Sequence, residues 1–489
     1  MSNIKHIVAT DFYNYTQCKH LVYLDKNGDP KLKDKVSDFV KMLWFRGIQH
    51  EKNMIEKIAK DNDKSFAEVD RNKKADQETF NQTLELMRKG IDFIYQGVLI
   101  HNNYIGRPDL LEKVSGKSIF GDYYYIPVDI KAGRGYEGEE FEDEKSKLSY
   151  RLQLTFYALL LDKIQNYKPQ AGKIININEE QLEYTLDTQD EKFIKYFDDI
   201  ELMSNGKELY QPTIGGKCSM CQWKTYCKKW ATKNKDLSLL FYLGENKYGL
   251  QGYGINNYED LLKHSLQEWL EILPKAKKQG YFKGVAEKSL TNFYNRALTY
   301  SKGKEIIYNK IDFPTGNKEI HFDIEDDPTQ DIVYMFGFWI RDNGKEHYHY
   351  IIAEDLHDEE KATLELWDFL KNNQGIPIYH YSHHEKSTLR RLQEKYNLDP
   401  QIYEKFLEDT FDLYEAIKKN TDFPLPSYGL KSICKYLGFH WSAEDAGGAN
   451  SIEWYSKYLA GDKSMMDKIL KYNEEDCKAT AYLKDYLNK

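Results

Sequence analysis

Several features that would place a chain of 489 residues in a common class are missing from this sequence. No apolar run approaches the length of a membrane span, and residues 1–20 contain no apolar core of a secretion signal. We therefore expect no membrane partner and a cytoplasmic location. The chain also lacks an internal repeat, a long low-complexity linker and a G-x-x-x-x-G-K-[ST] motif, so ATP-driven work through a P-loop is not expected.

An excess of positive charge is missing as well. The 69 Lys and Arg residues against 78 Asp and Glu residues give a net charge of −9, which argues against a simple basic coat for nucleic acid. An enzyme of nucleic acids is not excluded, because its metal sites concentrate carboxylates while the basic track for phosphates can be local. The 39 tyrosines could stack on single-stranded bases, but their spread over the whole chain favours a compositional bias.

Cysteine is scarce and unevenly distributed. Two of the six cysteines, Cys434 and Cys477, stand alone. The other four are a lone upstream residue, Cys18, and a C-x2-C-x5-C cluster formed by Cys218, Cys221 and Cys227. Without a secretion signal, this spacing suits metal ligation better than disulfides. Zinc and an iron–sulfur cluster both accept four thiolates, so the spacing alone leaves the metal open.

The hydrophobic pattern that is present divides the chain into three blocks and predicts an α/β multidomain protein. The length suits two or three domains. Residues 1–235 mix helical and strand patterns, and residues 236–305 look mainly helical. Residues 306–489 begin with three strand patterns and continue with alternating helix and strand. In the middle block, the glycine turn at residues 252–255 resembles a helix-hairpin-helix, although a plain turn is the favoured interpretation.

The first block contains a candidate metal site. Two neighbouring strands are expected at residues 99–114 and 122–130, with Asp109 on one and Asp129-x-Lys131 at the end of the other. Asp129 and Lys131 are two residues apart and point to the same face. Two carboxylates can hold Mg²⁺ beside a phosphodiester, and Lys131 can orient or deprotonate the attacking water.

Helical residues around this pair complete the candidate site. His50, in an Arg46-Gly47-x-x-His50 helix, offers a further metal ligand. Gln153 and Tyr157 lie one helical turn apart and could organise the lysine and the substrate. Each element alone also has an explanation without any function, such as a solvated strand edge or an exposed helical histidine. Their order and spacing together are hard to obtain by chance.

In this combination the first block resembles the RecB-like branch of the PD-(D/E)XK nucleases. Asp129 stands where the family often has Glu. The resemblance implies that Cys18, Cys218, Cys221 and Cys227 carry a [4Fe–4S] cluster that joins the two ends of the domain, with zinc as the less favoured metal. Trp223, Tyr226 and Trp230 would shield the cluster from solvent.

The third block contains a second set of acids. Asp323 and Glu325 share one face of the first strand, Glu385 begins a later helix, and Tyr472 precedes Asp476 by one helical turn. The four carboxylates can bind two Mg²⁺ or Mn²⁺ ions, and Tyr472 can orient the water.

This second set resembles the DEDD exonucleases of RNase H-like fold, in the subclass with a tyrosine in the third motif. The resemblance covers roughly residues 315–489 and implies trimming of 3′ ends. One departure is that the second motif usually offers Asp, so Glu385 is an uncertain ligand, with Asp409 or Asp412 as substitutes. An inactive scaffold that keeps only the fold is the alternative for this half.

Together these features predict a metal-dependent DNA nuclease with two active sites, acting on ends or single strands in repair, recombination or defence. Without a P-loop of its own, the chain would need a helicase as a partner to open duplex DNA. Two alternatives stay open. One is an RNA-processing exonuclease, because nothing in the sequence distinguishes the 2′-OH. The other is a nucleic-acid-binding adaptor whose sites are inactive.

Overall fold

The computed structural model describes residues 5–61, 63–137, 145–442 and 447–489. The chain forms two compact units, Met1–Thr213 with Lys217–Cys227 and Ile214–Gly216 with Lys228–Lys489. Both units combine helices with mixed sheets, which confirms the predicted α/β multidomain class. The predicted boundaries at residues 235 and 305 remain predictions. Among the described residues, no helix combines the length and the apolar character required to cross a membrane.

The helices of the first unit precede and follow its main strands. They are α1 (Ala9–Gln17), α2 (Lys19–Asn27), α3 (Asp38–Ala59), α4 (Gln77–Arg88), α5 (Leu148–Gln165) and α6 (Glu191–Ser204), and α7 (Lys224–Lys233) begins in this unit. The strands are β1 (Ile7–Val8), β2 (Phe66–Glu68), β3 (Phe93–Tyr95), β4 (Leu99–His101), β5 (Tyr104–Gly106), β6 (Leu110–Ser118), β7 (Gly121–Ile130), β8 (Tyr136–Glu137), β9 (Lys145–Ser146), β10 (Ala171–Ile175) and β11 (Gln181–Thr185).

The main sheet of this unit has the strand order β11-β10-β7-β6-β3-β2. Strands β6 and β7 form an antiparallel hairpin, and β10 runs parallel to β7. Residues 125–130 of β7 are all buried, as expected for a central strand covered on both faces. Helix α5 packs on β7 and β10 with side chains such as Leu154, Phe156 and Leu161, which are fully buried. The centre of the sheet is therefore rigid where β6 and β7 carry the predicted acids.

One strand prediction is wrong in detail. The stretch predicted as a strand over residues 99–114 consists of β4, β5 and β6. Asn102 adopts a positive φ of 55° in the turn after β4, and Pro108, which has no backbone N–H to donate, separates β5 from β6. This break places Asp109 immediately before β6.

The second unit contains the remaining elements. Its helices are α8 (Lys247–Gln251), α9 (Leu266–Lys278), α10 (Glu287–Lys302), α11 (Glu359–Asn372), α12 (His384–Lys395), α13 (Pro400–Asp409), α14 (Leu413–Asn420), α15 (Leu430–Tyr436), α16 (Gly448–Leu459) and α17 (Met465–Leu487). Its strands are β12 (Ile306–Ile307), β13 (Lys318–Asp327), β14 (Ile332–Asp342), β15 (Lys345–Ile352), β16 (Ile378–His380), β17 (Thr410–Asp412) and β18 (Thr421–Asp422).

The main sheet of the second unit has the strand order β15-β14-β13-β16-β17. The first three strands are antiparallel, whereas β16 runs parallel to β13 and β17 parallel to β16. This confirms the predicted succession of three antiparallel strands followed by helix and strand. The long helix α17 packs on β13 and β14 and carries the last predicted motif to the central strand.

The helical segment of the second unit has a small core of its own and a charged link to the sheet-containing part. Its core includes Trp269, Phe282 and Phe293. Arg296 on α10 donates to Asp422 at 2.9 Å, and both side chains are buried. The Phe241 ring stacks on Tyr428 with 4.0 Å between ring centroids. The segment is thus packed into the same compact unit as the five-stranded sheet.

Candidate functional sites

Asp109, Asp129 and Lys131 meet at the ends of β6 and β7. The backbone N–H of Asp109 donates to Asp129 Oδ1 at 3.2 Å, and the backbone N–H of Ile130 donates to Asp109 Oδ2 at 2.7 Å. Lys131 Nζ lies 2.8 Å from Asp129 Oδ2. Because the sheet backbone holds both acids, their separation is fixed before any ligand binds.

Burial dominates the electrostatics of this group. The pKa of Asp109 is raised to about 7, first by burial and then by the neighbouring Asp129 charge, against the opposing effect of Lys131. Burial acts to lower the pKa of Lys131, but the charges of Asp129 and Asp109 outweigh it, so this pKa is raised. Without a metal, Lys131 therefore keeps its proton at neutral pH, which favours orientation of water or stabilisation of negative charge over proton abstraction.

The other residues predicted for this site lie on α3 and α5. Gln153 and Tyr157 are buried on α5, and Tyr157 donates to the carbonyl oxygen of Arg107 at 3.3 Å. Burial raises the pKa of Tyr157, and the charges of Asp129 and Asp109 add to the shift, which shows that all three are neighbours. His50 lies on α3, and its buried Nε2 atom has no hydrogen-bond partner among the described residues. Such an atom fits a metal ligand.

Sequence reasoning missed Glu51, the residue after His50. Its carboxylate accepts from Tyr95 Oη at 2.9 Å and Gln96 Nε2 at 3.1 Å, and it pairs with Arg71 at 3.2 Å. Its charge contributes to the raised pKa of Asp109. Glutamates on helices usually face solvent, so the sequence carried no local signal for a buried one.

An open groove of about 450 Å³ gives access to this site. Its lining combines the acids with one face of α3 and includes Trp44, Gly47, Ile48, Glu51, Asp109 and Lys131. The groove thus exposes Asp109 and Lys131 to an incoming substrate beside the carboxylates that would bind metal.

The predicted cysteine ligands lie where the two ends of the first unit come together. Cys18 connects α1 to α2, and Cys218 lies in the short 3-10 helix Gly216–Met220. Nearby, Lys217 Nζ donates to the carbonyl oxygen of Thr16 at 3.0 Å, and the buried Trp223 donates to Asp25 at 2.9 Å. The cysteine-rich segment therefore packs against α1 and α2.

The thiols form no compact ligand group within the part of the chain that the structure describes. No three of them meet within 4.8 Å, as ligands of a single tetrahedral ion do. Burial raises the pKa of the Cys221 thiol, and Cys218 and Cys18 raise it further, so these three thiols share one neighbourhood. The arrangement of the thiols alone therefore supports neither the predicted [4Fe–4S] cluster nor a zinc ion.

Asp323, Glu325 and Asp476 form the one compact group of candidate metal ligands among the described residues. Asp323 and Glu325 lie on the central strand β13, and Asp476 lies on α17, which crosses it. Carboxylate oxygens from the three residues all lie within 4.8 Å of one another. Hard divalent cations such as Mg²⁺ and Mn²⁺ bind to such oxygen sets.

The buried acids of this group disfavour one another's charges. Burial raises the pKa of Asp323, and the charges of Asp476, Glu325 and Glu385 raise it further. Burial raises the pKa of Glu325 to about 8, with Asp476 as the next cause. The pKa of Asp476 is raised by burial despite the nearby Lys431. A divalent cation would remove this repulsion, so the residues fit a metal.

Glu385 lies outside this compact group, but its charge acts on Asp323, whereas its two predicted substitutes have other partners. It is buried at the start of α12, its Oε2 lies 3.2 Å from His380 Nδ1, and its charge acts on Asp323. Asp409 instead accepts from the backbone N–H of Gly375 at 2.7 Å. Asp412 caps α14 by accepting from the backbone N–H of Tyr414 at 2.9 Å.

Two hydrogen-bond donors orient Asp476. The Trp441 indole N–H donates to Asp476 Oδ1 at 2.6 Å, and Tyr472, one turn earlier on α17, also bonds to this carboxylate. Burial and then the Asp476 charge raise the pKa of Tyr472, so its hydroxyl stays protonated and able to donate. Lys431 Nζ lies 3.9 Å from Asp476 and 4.0 Å from the centre of the Tyr472 ring.

Asn473 is a second residue that sequence reasoning missed. Its Nδ2 donates to Asp323 Oδ2 at 2.8 Å and to Glu325 Oε1 at 3.5 Å. Its Oδ1 accepts from Tyr348 Oη at 2.8 Å, which fixes the orientation of the amide. Ile469, Tyr472, Asn473 and Asp476 follow i, i+3, i+4, i+7 spacing, so the buried face of α17 could have revealed it.

Comparison with known proteins yields two family matches. Residues 4–228 match the family model for the PD-(D/E)XK nuclease superfamily. Residues 320–488 match the model for the RNase H superfamily. No curated protein matches the chain. Each match contains one complete set of the acids described above.

Proposed function

We propose that this protein is a metal-dependent DNA nuclease with two active sites. The proposal starts from the PD-(D/E)XK nuclease domain at residues 4–228 and the RNase H-superfamily domain at residues 320–488. Its substrates are single strands or ends. The observation that supports the proposal best is the convergence of Asp323, Glu325 and Asp476, because three carboxylates so close together repel one another until a cation or protons offset their charges, and a divalent cation does so at neutral pH.

In the first site, His50, Asp109 and Asp129 would hold Mg²⁺ or Mn²⁺, which polarises the scissile phosphate and its attacking water when bound. Asp109 and Asp129 keep their positions through the backbone donors of β6 and β7. Lys131 stays charged and stabilises the negative charge that develops on the phosphate oxygens. Gln153 and Tyr157 are buried on α5, and Tyr157 donates to the carbonyl oxygen of Arg107, so the two side chains would organise Lys131 and the substrate from this helix.

In the second site, Asp323, Glu325, Glu385 and Asp476 would hold two divalent ions, which stabilise the attacking and leaving oxygens when bound. Trp441 and Tyr472 orient Asp476, and Asn473 orients Asp323 and Glu325. The Tyr472 hydroxyl, held one turn from Asp476, is the group that positions the attacking water. Release of nucleotides from 3′ ends rests on the resemblance of this half to tyrosine-containing DEDD exonucleases.

We also propose, on family resemblance, that Cys18, Cys218, Cys221 and Cys227 bind a [4Fe–4S] cluster that fastens the C-terminal segment of the first unit to α1 and α2. Iron analysis and visible absorption of anaerobically purified protein test this. Cys221→Ala should remove both the iron and the brown colour and lower the melting temperature of the first unit, because cluster binding energy is partly folding energy. Stoichiometric zinc or metal-free protein would contradict the proposal.

DNA rather than RNA as substrate, and a cytoplasmic role in repair, recombination or defence with a helicase as partner, rest on the resemblance to RecB-like nucleases. The deciding experiment uses matched DNA and RNA oligonucleotides, single-stranded and duplex, with Mg²⁺, Mn²⁺ or a chelator. We expect metal-dependent cleavage of single-stranded DNA. Cleavage of RNA alone would instead establish the RNA-processing alternative, and binding without cleavage of either polymer would establish the adaptor.

A further inference from the structure

One face of α3 forms a wall of the groove that leads to the first site. Trp44, Gly47, Ile48 and Glu51 line this groove, and their i, i+3, i+4, i+7 spacing puts them on a single helical face. Glu51 lies at the buried end, beside Asp109, and Trp44 at the exposed end. The two ends are about 10 Å apart along the helix axis at ~1.5 Å per residue. That distance corresponds to roughly three nucleotides at the ~3.4 Å rise of a stacked strand.

Gly47 has no packing reason to be glycine. A Cβ added there would meet nothing within 4 Å among the described residues. Its φ is not positive, so the backbone does not require glycine either. Glycine inside a helix lowers helix stability relative to alanine. What Gly47 supplies is an unobstructed stretch of groove between Trp44 and the acids.

Trp44 offers an aromatic surface at the mouth of the same groove. Its side chain is 57% exposed, although tryptophan is usually buried to a large extent. An occupant of this groove must bring a phosphate to Asp109 and Lys131 and a flat apolar group to Trp44. A strand of nucleotides provides both the phosphate and the flat base. Bases within a duplex are stacked on one another and unavailable to a side chain at the groove wall, whereas bases of a single strand are available.

A second lysine, Lys147, lies near the same tyrosine ring as Lys131, outside the residues that line the groove. Lys131 Nζ lies 6.0 Å and Lys147 Nζ 5.3 Å from the centre of the Tyr150 ring, at the start of α5. Lys147 is therefore close to Lys131 without belonging to the acid group. A second lysine at this position suits the next phosphate of a bound strand.

We propose that Trp44 stacks on a base of single-stranded DNA roughly three nucleotides away from the phosphate that is cut at Asp109, Asp129 and Lys131, while Gly47 leaves room for the strand between them. Trp44 and Gly47 are then specificity-determining residues that make the first site selective for single strands. The inference rests on the proposed nuclease function of this site and adds the form of its substrate.

The test measures cleavage by the first site alone, in an Asp323→Ala background, on a single strand and on a hairpin duplex of the same sequence. Trp44→Ala should raise KM for the single strand about 5- to 150-fold, the range of one lost base stack, with little change in kcat. Trp44→Phe should restore most of the loss. Phe45→Ala is the matched control, because Phe45 is 62% exposed but does not line the groove.

Gly47→Ala separates substrate binding from folding. We expect this substitution to raise the melting temperature, because alanine favours the helix and meets no neighbour, and to raise KM for the single strand at the same time. A purely structural role of Gly47 would move stability and activity in the same direction.

Two outcomes overturn the inference while leaving the nuclease function intact. One is an unchanged KM for Trp44→Ala, and the other is an equal loss on the hairpin and on the single strand. If the Asp323→Ala background cuts nothing, the proposed function of the first site fails instead. Fluorescence anisotropy of a labelled single strand in Ca²⁺ then decides the inference, and equal Kd values for Trp44→Ala and Phe45→Ala would reject it.

Discussion

Buried carboxylates set the chemistry of both sites. Burial raises the pKa of Asp109 to about 7 and that of Glu325 to about 8, and a neighbouring acid adds to each shift. In the unfolded chain both groups would titrate near their ordinary values of 3.8 and 4.5. Each site is therefore a proton-binding site when it lacks a cation.

The consequence is a pH-dependent effect of metal on stability. Between about pH 4 and pH 8 the metal-free folded protein holds protons that the unfolded chain has released, so its free energy of unfolding falls as pH rises. Mg²⁺ competes with these protons. Added Mg²⁺ should therefore raise the melting temperature more at about pH 8 than at about pH 6, as measured by differential scanning fluorimetry.

The double variant Asp109→Asn, Glu325→Gln is the control for this experiment. It removes the titrating groups Asp109 and Glu325, so the difference between the two pH values should shrink, and what is left should come from Asp323 and Asp476, whose pKa burial also raises. A larger Mg²⁺ effect at the lower pH in the wild-type protein would contradict the interpretation.

Lys131→Ala should abolish cleavage at the first site with little loss of DNA affinity. The raised pKa of Lys131 keeps a positive charge beside the acids, where it acts on the transition state, while affinity comes mostly from phosphate contacts elsewhere. We expect kcat to fall about 10²-fold or more. Cleavage and anisotropy are measured on the same oligonucleotide in the Asp323→Ala background.

Lys113→Ala provides a matched control, because Lys113 also forms a strand-borne ion pair, with Asp92 at 2.6 Å, but outside the groove. It should leave kcat and Kd unchanged. A large loss of affinity in Lys131→Ala, with normal cleavage per bound complex, would show that Lys131 is only a phosphate contact.

At the scale of helices and strands, periodic patterns predicted the long elements well. Helix α3 contains the predicted Arg46-Gly47-x-x-His50 helix, and strands β13, β14 and β15 are the three strands predicted at the start of the third block. The pattern did not resolve β4, β5 and β6, whose separation depends on a single turn at Asn102 and on Pro108. Local chemistry of that kind overrides hydrophobic periodicity.

The site residues also divide into those that the sequence pattern could identify and those that it could not. Asp109, Asp129 and Lys131 could be grouped from sequence because a short strand spacing brings them together. Glu51 and Asn473 could not be recognised as easily, because their partners Tyr95 and Tyr348 come from distant strands. The contacts of Glu51 leave no trace in a local spacing, whereas for Asn473 the helical spacing of the buried face of α17 is the one available signal.

The contact between β14 and α17 makes Gly337 a sensitive position. A Cβ added there would lie 1.5 Å from Asn473 Oδ1 and 3.1 Å from Tyr348 Oη. Gly337→Ala should displace Asn473 from Asp323 and Glu325, reduce cleavage at the second site and lower the free energy of unfolding by about 1–3 kcal/mol. Activity of the Asp129→Ala background on 3′-labelled strands and urea denaturation measure the two effects.

Gly448→Ala is the comparison for Gly337→Ala. Gly448 begins α16 in the same domain, and a Cβ there meets nothing within 4 Å among the described residues. Its activity should be normal. Normal activity of Gly337→Ala as well would mean that the amide of Asn473 does not position the acids.

Across the whole molecule, each compact unit contains one full set of site residues. All the acids of the first site belong to the first unit, and those of the second site to the second unit. Metal–ligand bonds of roughly 2 Å require ligands in direct contact, so each site can work with its own residues. Asp129→Ala and Asp323→Ala should therefore each remove one activity and spare the other.

Single strands labelled at the 5′ or the 3′ end separate the two activities. We expect Asp323→Ala to lose the trimming of 3′ ends and Asp129→Ala to lose the remaining products. If Asp129→Ala alone erases every product, the second half is an inactive scaffold, and Glu385 in place of the usual Asp would explain the missing activity. If Asp323→Ala alone does so, the first site is not a nuclease site.

The buried pair of Arg296 and Asp422 has a consequence for how such a gene can be divided. A fragment that began at residue 306 would keep every acid of the second site yet leave Asp422 buried with tyrosine hydroxyls and no cation, and Tyr428 would lose its stacking partner Phe241. A gene segment can be recombined into a new protein only if the piece of chain that it encodes folds. The smallest piece of this gene that we expect to fold as an RNase H-superfamily domain is therefore longer than the five-stranded sheet, and it includes the helices that precede the sheet.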